Sequence, residues 1–304
     1  LSSVSRFRTI ASKAAQLRAA LLNLTARQEA AAEALENYLE GRPEDAVGRL
    51  RQALSLEPHL TEAERDLGLM YLDQGEWEDA EAKTAAAALI EAVCSRLAAG
   101  GWIGVSASYP LVPQATFPDQ LIALKRALAW MREEGVGYGI DPGFIAISGG
   151  SAGGHLASLT ALTANRPEYQ PGFEGADTSV QAAIPVYGIY DFLNRNSTRD
   201  EWPIIPRYVM KADKATNEAL FREASPLDQV HEDAPPFLVI HGEVDAVVPA
   251  AEAHQFVAAL RAVSRHPVGY AEIPGANHAF DVLDSLRTHY MISGAQRFLE
   301  SSRV

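Results

Sequence analysis

The chain has 304 residues, of which 47% are hydrophobic and 21% are charged, and its formal net charge is −13 at pH 7. This composition is typical of a soluble globular protein, and the length allows one or two domains. The acidic balance argues against nucleic acid or an anionic membrane as a partner. Cys94 is the only cysteine, which excludes an internal disulfide and predicts a reducing, cytoplasmic compartment.

Signals for targeting and for cofactors are scarce. No run of about 18 apolar residues occurs, so no membrane span is predicted. The basic start lacks the compact apolar core of a signal peptide, and Leu1 in place of methionine indicates a trimmed product or a missing gene start. Since no zinc, dinucleotide or P-loop motif is found, the sequence predicts neither a metal nor a cofactor.

The first segment, residues 1–92, is rich in Ala, Leu, Glu and Arg and is predicted to be all helical. Gly41 and Gly75 stand about 34 residues apart, and similar sequences surround both. Over about residues 30–90 this period resembles the tetratricopeptide repeat. Such repeats imply a concave surface for a protein partner. Stacked repeats usually need about three units and only two are found, so a helical hairpin that merely packs is the alternative.

The second segment, residues 93–304, alternates between strand and helix patterns, which predicts an α/β domain with a parallel sheet. Its first predicted strand is the apolar run 102–109. A helix is predicted from Asp119 to about Glu134, because its leucines recur at spacings of three and four.

A nucleophile elbow is predicted around Ser151. Gly149, Ser151 and Gly153 form the pattern G-x-S-x-G between a β-favouring run and a helix-forming run. Glycines suit a serine on a strained turn because side chains there would clash, and the helix start would face developing negative charge. The alternative is a glycine-rich turn that only packs.

An acid and a histidine follow in the order that α/β-hydrolases use. Asp245 comes just after the predicted buried strand that begins at Phe237, and His278 follows the last predicted strand, Val268–Ile273. A strand over 182–188 and a helix over 250–262 complete the alternation.

These positions predict a serine mechanism. Ser151 would be the nucleophile, His278 the general base, and Asp245 the residue that orients the imidazole. The backbone N–H groups of Ala152 and Gly150 would donate to the oxyanion.

Other polar residues compete for these roles or lie beside them. Glu243 is a rival acid two residues before Asp245, whereas His155 and His241 are expected to pack or to form local hydrogen bonds.

From about residue 96 to its end, the chain resembles the hormone-sensitive-lipase-like branch of the α/β-hydrolases, which includes bacterial carboxylesterases. The matching stretches are 105–113, Phe117-Pro118, 127–130 and 149–155. The resemblance implies a parallel sheet, and its G-x-x-D pattern selects Asp245 as the acid. It also implies that the insertion over about 191–236 is a lid, the alternative being a packed surface excursion. Pro110 departs from the family's usual arginine, which removes an ion-pair partner.

The resemblance leaves one part of the machinery unaccounted for. The family's His-Gly-Gly oxyanion loop and its early strands, one of which normally lies beside the elbow strand, find no match in residues 1–104. Three explanations stay open: a truncated and inactive hydrolase, a strand supplied by another chain, or donors from elsewhere, such as the loop 110–113.

The resulting functional hypothesis is a serine carboxylesterase that cleaves short-to-medium acyl esters through an acyl-enzyme. Losing a principal oxyanion donor costs on the order of 10²–10³ in kcat, so activity would be impaired without a substitute. The alternative is an inactive hydrolase-fold protein whose helical repeats bind a protein partner.

Overall fold

The computed structural model describes residues 93–282 and 285–303. These residues belong to a compact unit that spans Leu89–Val304. The tetratricopeptide-like repeats, predicted over about 30–90, lie outside the described residues. The repeats and the domain boundary at residue 92 therefore stay predictions.

Within the described part of the chain, four strands form one parallel sheet with the order β1-β2-β3-β4. They are β1 (Ala146–Gly150), β2 (Ala182–Val186), β3 (Phe237–Gly242) and β4 (Val268–Ile273). The predicted parallel sheet is confirmed. Because all four strands run in one direction, the loops that follow them meet at one edge of the sheet.

From residue 119 onward the described residues form five α-helices, which are α1 (Asp119–Glu133), α2 (Ala152–Leu162), α3 (Glu218–Glu223), α4 (Ala250–Val263) and α5 (Leu286–Ser302). Residues 93–99 are also helical. The predictions of α1, α2 and α4 are confirmed, whereas α5 was not predicted. No described helix is both long and apolar enough to cross a bilayer.

Alternate residues of the strands face two helical layers. On one face Phe237 and Val239 of β3 pack in a cluster that draws on α1, α2 and α4. On the other face Ile240 joins a cluster that includes Met291 and Leu299 of α5. This alternation is the period of two expected for a strand, and it covers the parallel sheet on both sides.

The predicted strand over 102–109 is wrong, since this segment is irregular. Its apolar residues are not buried, with Ile103 51% and Val105 42% exposed. An apolar run becomes a buried strand only when a neighbouring strand pairs with it. Within residues 93–282 and 285–303 no strand pairs with the outer edge of β1. The strand that the resembled family places beside the elbow strand therefore has no counterpart among these residues.

The insertion over about 191–236 is ordered by its own apolar cluster. It contains a π-helical turn at Ile205–Val209, then α3 and a short 3₁₀ turn. Phe221 and Met210 of the insertion are buried together with Leu121 of α1 and Leu159 of α2. The insertion therefore packs on the helical layer that carries the elbow helix.

A buried carboxylate on α4 anchors the start of the insertion. Glu252 accepts hydrogen bonds from the backbone N–H groups of Tyr190 and Asp191, both at 3.2 Å, and from Thr198 Oγ1 at 2.7 Å. The guanidinium of Arg199, also buried, lies 3.2 Å from the same carboxylate. A buried charge is tolerable when it is paired and hydrogen-bonded in this way.

Lys125 of α1 is a buried cation. Its Nζ donates to Thr163 O at 2.5 Å and lies 3.4 Å from Thr178 Oγ1. Burial, reinforced by Arg166, lowers the pKa of Lys125 from 10.5 to about 8, although Glu168 opposes this shift. Because the folded pKa lies below the unfolded one, the charged lysine opposes folding.

We expect the stability of the protein to reflect this shift. The free-energy penalty of burying the charged Lys125 is fully present below about pH 8 and disappears as the pH rises to about 10.5. Relative to Lys125→Met, the free energy of unfolding of the wild type should rise over this range by up to about 3 kcal/mol, at about 1.4 kcal/mol per pKa unit. Urea denaturation of both proteins at several pH values measures the difference, and a difference that stays constant with pH contradicts the prediction.

Candidate active site

Ser151 occupies a strained turn between β1 and α2. Its backbone has φ 54° and ψ −117°, a conformation that residues with side chains rarely adopt. Ser151 N–H donates to Val186 O at 3.0 Å, and Ser151 O accepts from His155 N–H at 3.0 Å. Hydrogen bonds on both sides therefore hold the strained residue at the edge of the sheet.

Close backbone contacts explain two of the glycines around Ser151. A Cβ on Gly149 would lie 2.6 Å from the backbone of Gly153, and one on Gly154 would lie 2.7 Å from Val186 O. A Cβ on Gly153 would meet nothing within 4 Å. The strand and the helix can therefore cross this closely only without side chains at 149 and 154.

The structure brings Ser151, Asp245 and His278 together from loops that follow β1, β3 and β4. His278 Nε2 lies 2.9 Å from Ser151 Oγ, and His278 Nδ1 lies 2.7 Å from Asp245 Oδ2. Ser151 is half-buried, whereas Asp245 and His278 are buried. The three side chains form one hydrogen-bonded chain at the carboxyl edge of the sheet.

Asp245 is surrounded by donors. Its Oδ1 accepts from the N–H groups of Val247 at 2.9 Å and Val248 at 2.8 Å. Burial alone would raise the pKa of Asp245, but hydrogen bonds from His241, His278 and the Val248 N–H hold that pKa well below its ordinary value. The carboxylate is therefore ionised at neutral pH, and His278 must donate to it through Nδ1–H.

This arrangement assigns the proton of His278. With Nδ1–H bound to Asp245, the neutral imidazole keeps its Nε2 lone pair for the hydroxyl of Ser151. Ser151 Oγ therefore lies within hydrogen-bond distance of a base, as proton abstraction from a serine requires.

The rival acid and one further histidine have other partners. Glu243 is exposed, and its Oε2 accepts from the N–H of Gly275 at 2.8 Å. His155 Nε2 lies 2.7 Å from Ala224 O, and its ring stacks on Phe192 with centroids 4.3 Å apart. Burial lowers the pKa of His155 to about 4. The packing predicted for His155 is confirmed.

Tyr187 was not singled out from the sequence, yet it lies against His278. The two rings are 4.7 Å apart, and Tyr187 Oη donates to Asp281 Oδ1 in the loop that carries His278. Burial raises the pKa of Asp281. Tyr187 therefore ties the end of β2 to this loop. Tyr187 lies near the end of the strand predicted over 182–188, so the sequence placed it at the edge where the site lies but gave no signal for its contact with His278.

The two predicted oxyanion donors, the backbone N–H groups of Ala152 and Gly150, flank Ser151 but point in different directions. Ala152 is the first residue of α2, where backbone N–H groups lack partners within the helix. Ser151 N–H points to β2, and consecutive N–H groups of an extended strand point to opposite sides. The N–H of Gly150 therefore faces the outer edge of β1.

A cavity of about 390 Å³ lies between the insertion and the loop after Asp245. Its lining is mainly polar, and it includes Arg199, Trp202 and Val247. The loop 110–113, another predicted source of donors, contacts the insertion through Lys211 Nζ, which donates to Pro113 O at 3.0 Å. Among the described residues, no cluster of His, Cys, Asp and Glu is placed to hold a metal ion.

Comparisons with known proteins point to one family. The family model BD-FAE matches residues 69–260, so the match begins within the segment of predicted repeats, about 30–90. Esterase LipQ of Mycobacterium tuberculosis is 48% identical over 206 residues, which are 67% of this chain and 49% of LipQ. The probable carboxylic ester hydrolase LipM of the same organism is 49% identical over 207 residues, 67% of this chain and 48% of LipM. This chain thus spans about half the length of these relatives.

Solved structures agree on the fold. The propionate-bound Est2 esterase of Thermogutta terrifontis superposes with a TM-score of 0.60 at 23% identity, covering 70% of this chain and 77% of Est2. The described sheet and helices are therefore those of an α/β-hydrolase, as the sequence predicted.

We expect the two outer glycines of the elbow motif to respond oppositely to alanine. Gly149→Ala should lower the free energy of unfolding by about 2–3 kcal/mol, because the new Cβ meets backbone that cannot move aside. Gly153→Ala should leave it unchanged or raise it by up to about 1 kcal/mol, because the site is open and helical. Urea denaturation measures both, and equal losses would contradict the steric explanation.

Proposed function

Starting from the chain's membership of the BD-FAE family, we propose that the protein is a serine carboxylic ester hydrolase. The hydrogen-bonded chain from Ser151 through His278 to Asp245 carries this proposal. The esterase names of LipQ and LipM support it.

The mechanism follows from the proton positions. As Ser151 Oγ attacks the ester carbonyl, His278 Nε2 takes its proton, and Asp245 stabilises the imidazolium that forms. His278 then returns the proton to the leaving alcohol, which leaves an acyl group on Ser151. Water activated by the same imidazole releases the acid and restores the hydroxyl.

The oxyanion would be held mainly by Ala152. Its N–H lies at the N-terminus of α2, where the helix dipole also favours negative charge. The Gly150 N–H is a second proposed donor, toward the outer edge of β1. Without the family's His-Gly-Gly loop, we expect kcat to be on the order of 10²–10³ below that of an enzyme with a complete set of donors.

The substrates would be esters of short-to-medium acyl chains, as the resemblance to the hormone-sensitive-lipase-like branch implies. We further propose that the insertion over about 191–236 acts as a lid. Its packing on α1 and on α2, the helix that follows Ser151, supports this role. The cytoplasmic location remains a proposal that rests on the single cysteine.

The first test is hydrolysis of p-nitrophenyl butyrate by the wild type and by Ser151→Ala. The variant should lose all activity above background, because the proposed mechanism forms the acyl-enzyme on Ser151 Oγ. Equal rates in the two proteins would overturn the proposal and favour the inactive alternative.

A matched pair of variants tests the acid. Asp245→Asn should lower kcat by on the order of 10⁴, because an amide stabilises the wrong tautomer of His278 and leaves the imidazolium unpaired. Glu243→Gln should keep kcat within about threefold, since Glu243 contacts Gly275 at the surface. Comparable losses in both variants would contradict the assignment of the acid.

A further inference from the structure

His241 is a buried histidine that the proposed mechanism does not use. It is the fifth residue of β3 (Phe237–Gly242), its side chain is fully buried, and it precedes Asp245 by four residues. His241 Nε2 lies 2.7 Å from Val248 O and 3.4 Å from Asp245 Oδ2. One ring nitrogen therefore faces both the carboxylate and the loop that follows it.

The surroundings of His241 fix its tautomer. A carbonyl oxygen only accepts hydrogen bonds, so the contact with Val248 O requires a proton on Nε2. Nδ1 has no hydrogen-bond partner among residues 93–282 and 285–303. A proton there would be a buried and unpaired donor, which is costly. The N–H on Nε2 of His241 is therefore directed at the loop 245–249, which we call the acid loop.

The same loop binds Asp245 from the other side. The N–H groups of Val247 and Val248 hold Oδ1, while Oδ2 faces two imidazoles, those of His278 and His241. By binding Val248 O, His241 also holds the peptide segment that supplies the donors to Oδ1. The orientation of the carboxylate thus depends on His241 both directly and through the loop.

We propose that His241 is a positioning residue that fixes the Asp245 carboxylate in the orientation from which it aligns His278. This inference rests on the proposed function, since it concerns the same hydrogen-bonded chain. His241 hydrogen-bonds neither Ser151 nor His278, so its effect passes through Asp245. Misplacement of a reacting group by about 1 Å costs on the order of 10² in rate, which sets the scale of the effect.

Two amide substitutions separate positioning from simple packing. In His241→Gln the side-chain NH₂ can occupy the place of imidazole Nε2 and keep the donor to Val248 O and Asp245. In His241→Asn the shorter side chain brings its NH₂ only to the place of Nδ1, which has no partner among the described residues. Both variants carry an amide, and they differ by one methylene and in which ring nitrogen the NH₂ replaces.

The first readout is p-nitrophenyl butyrate hydrolysis, with folding checked by circular dichroism. We expect His241→Gln to keep kcat within about threefold of the wild type. His241→Asn should lower kcat by about 10- to 100-fold, because a misplaced Asp245 no longer aligns His278 for proton transfer. Equal kcat in both folded variants, or a folded His241→Gln with more than tenfold loss, would overturn the proposal.

The second readout needs no turnover, which separates this proposal from that of esterase activity. The downfield proton NMR signal of His278 Nδ1–H, assigned by its loss in His278→Ala, reports the bond to Asp245. It should persist in His241→Gln and shift or broaden in His241→Asn. An unchanged signal in folded His241→Asn would overturn the positioning role even in an inactive protein. If His241→Asn does not fold, the signal and kcat of His241→Gln decide alone.

Discussion

The architecture of the site depends on one steric constraint, the close crossing of β1 and α2 at Ser151. Strand and helix approach until the backbones at 149 and 153 almost touch, and this approach forces Ser151 into its positive φ. The strain is tolerated because hydrogen bonds to Val186 and from His155 fix the backbone on both sides. Removing this crossing would release the hydroxyl from the sheet edge, where the other polar groups converge.

A second requirement is electrostatic. The Asp245 carboxylate lies out of contact with water, so its charge must be met by donors from the protein. Two backbone N–H groups and the N–H of His278 supply them, with His241 as a more distant fourth. The charge is thereby kept on the carboxylate, and the lone pair of His278 stays available to the serine. The same hydrogen bonds therefore stabilise the acid loop and keep His278 able to accept the proton of Ser151.

The sequence predicted the parts of the molecule whose signals are local. The elbow, helices α1 and α4, and the positions of Asp245 and His278 after strands all follow from patterns within a few residues. The strand over 102–109 failed because strand formation needs a partner that the local sequence does not describe. Tyr187 was missed because its contact with His278 depends on which loops the fold brings together, whereas the local hydrogen bonding expected for His241 is confirmed by its contact with Val248 O.

The network around Glu252 has a consequence for motion of the insertion. Four contacts join Glu252 to residues 190–199, and Arg199 also donates to Asp191 O at 2.7 Å. Separating Glu252 from these residues would leave a buried carboxylate and a buried guanidinium without partners, at a cost of several kcal/mol. The first part of the insertion must therefore move as a rigid body with α4. Any hinge that widens access to the neighbouring cavity lies beyond Arg199, in the segment that leads through Trp202 to the π-helical turn.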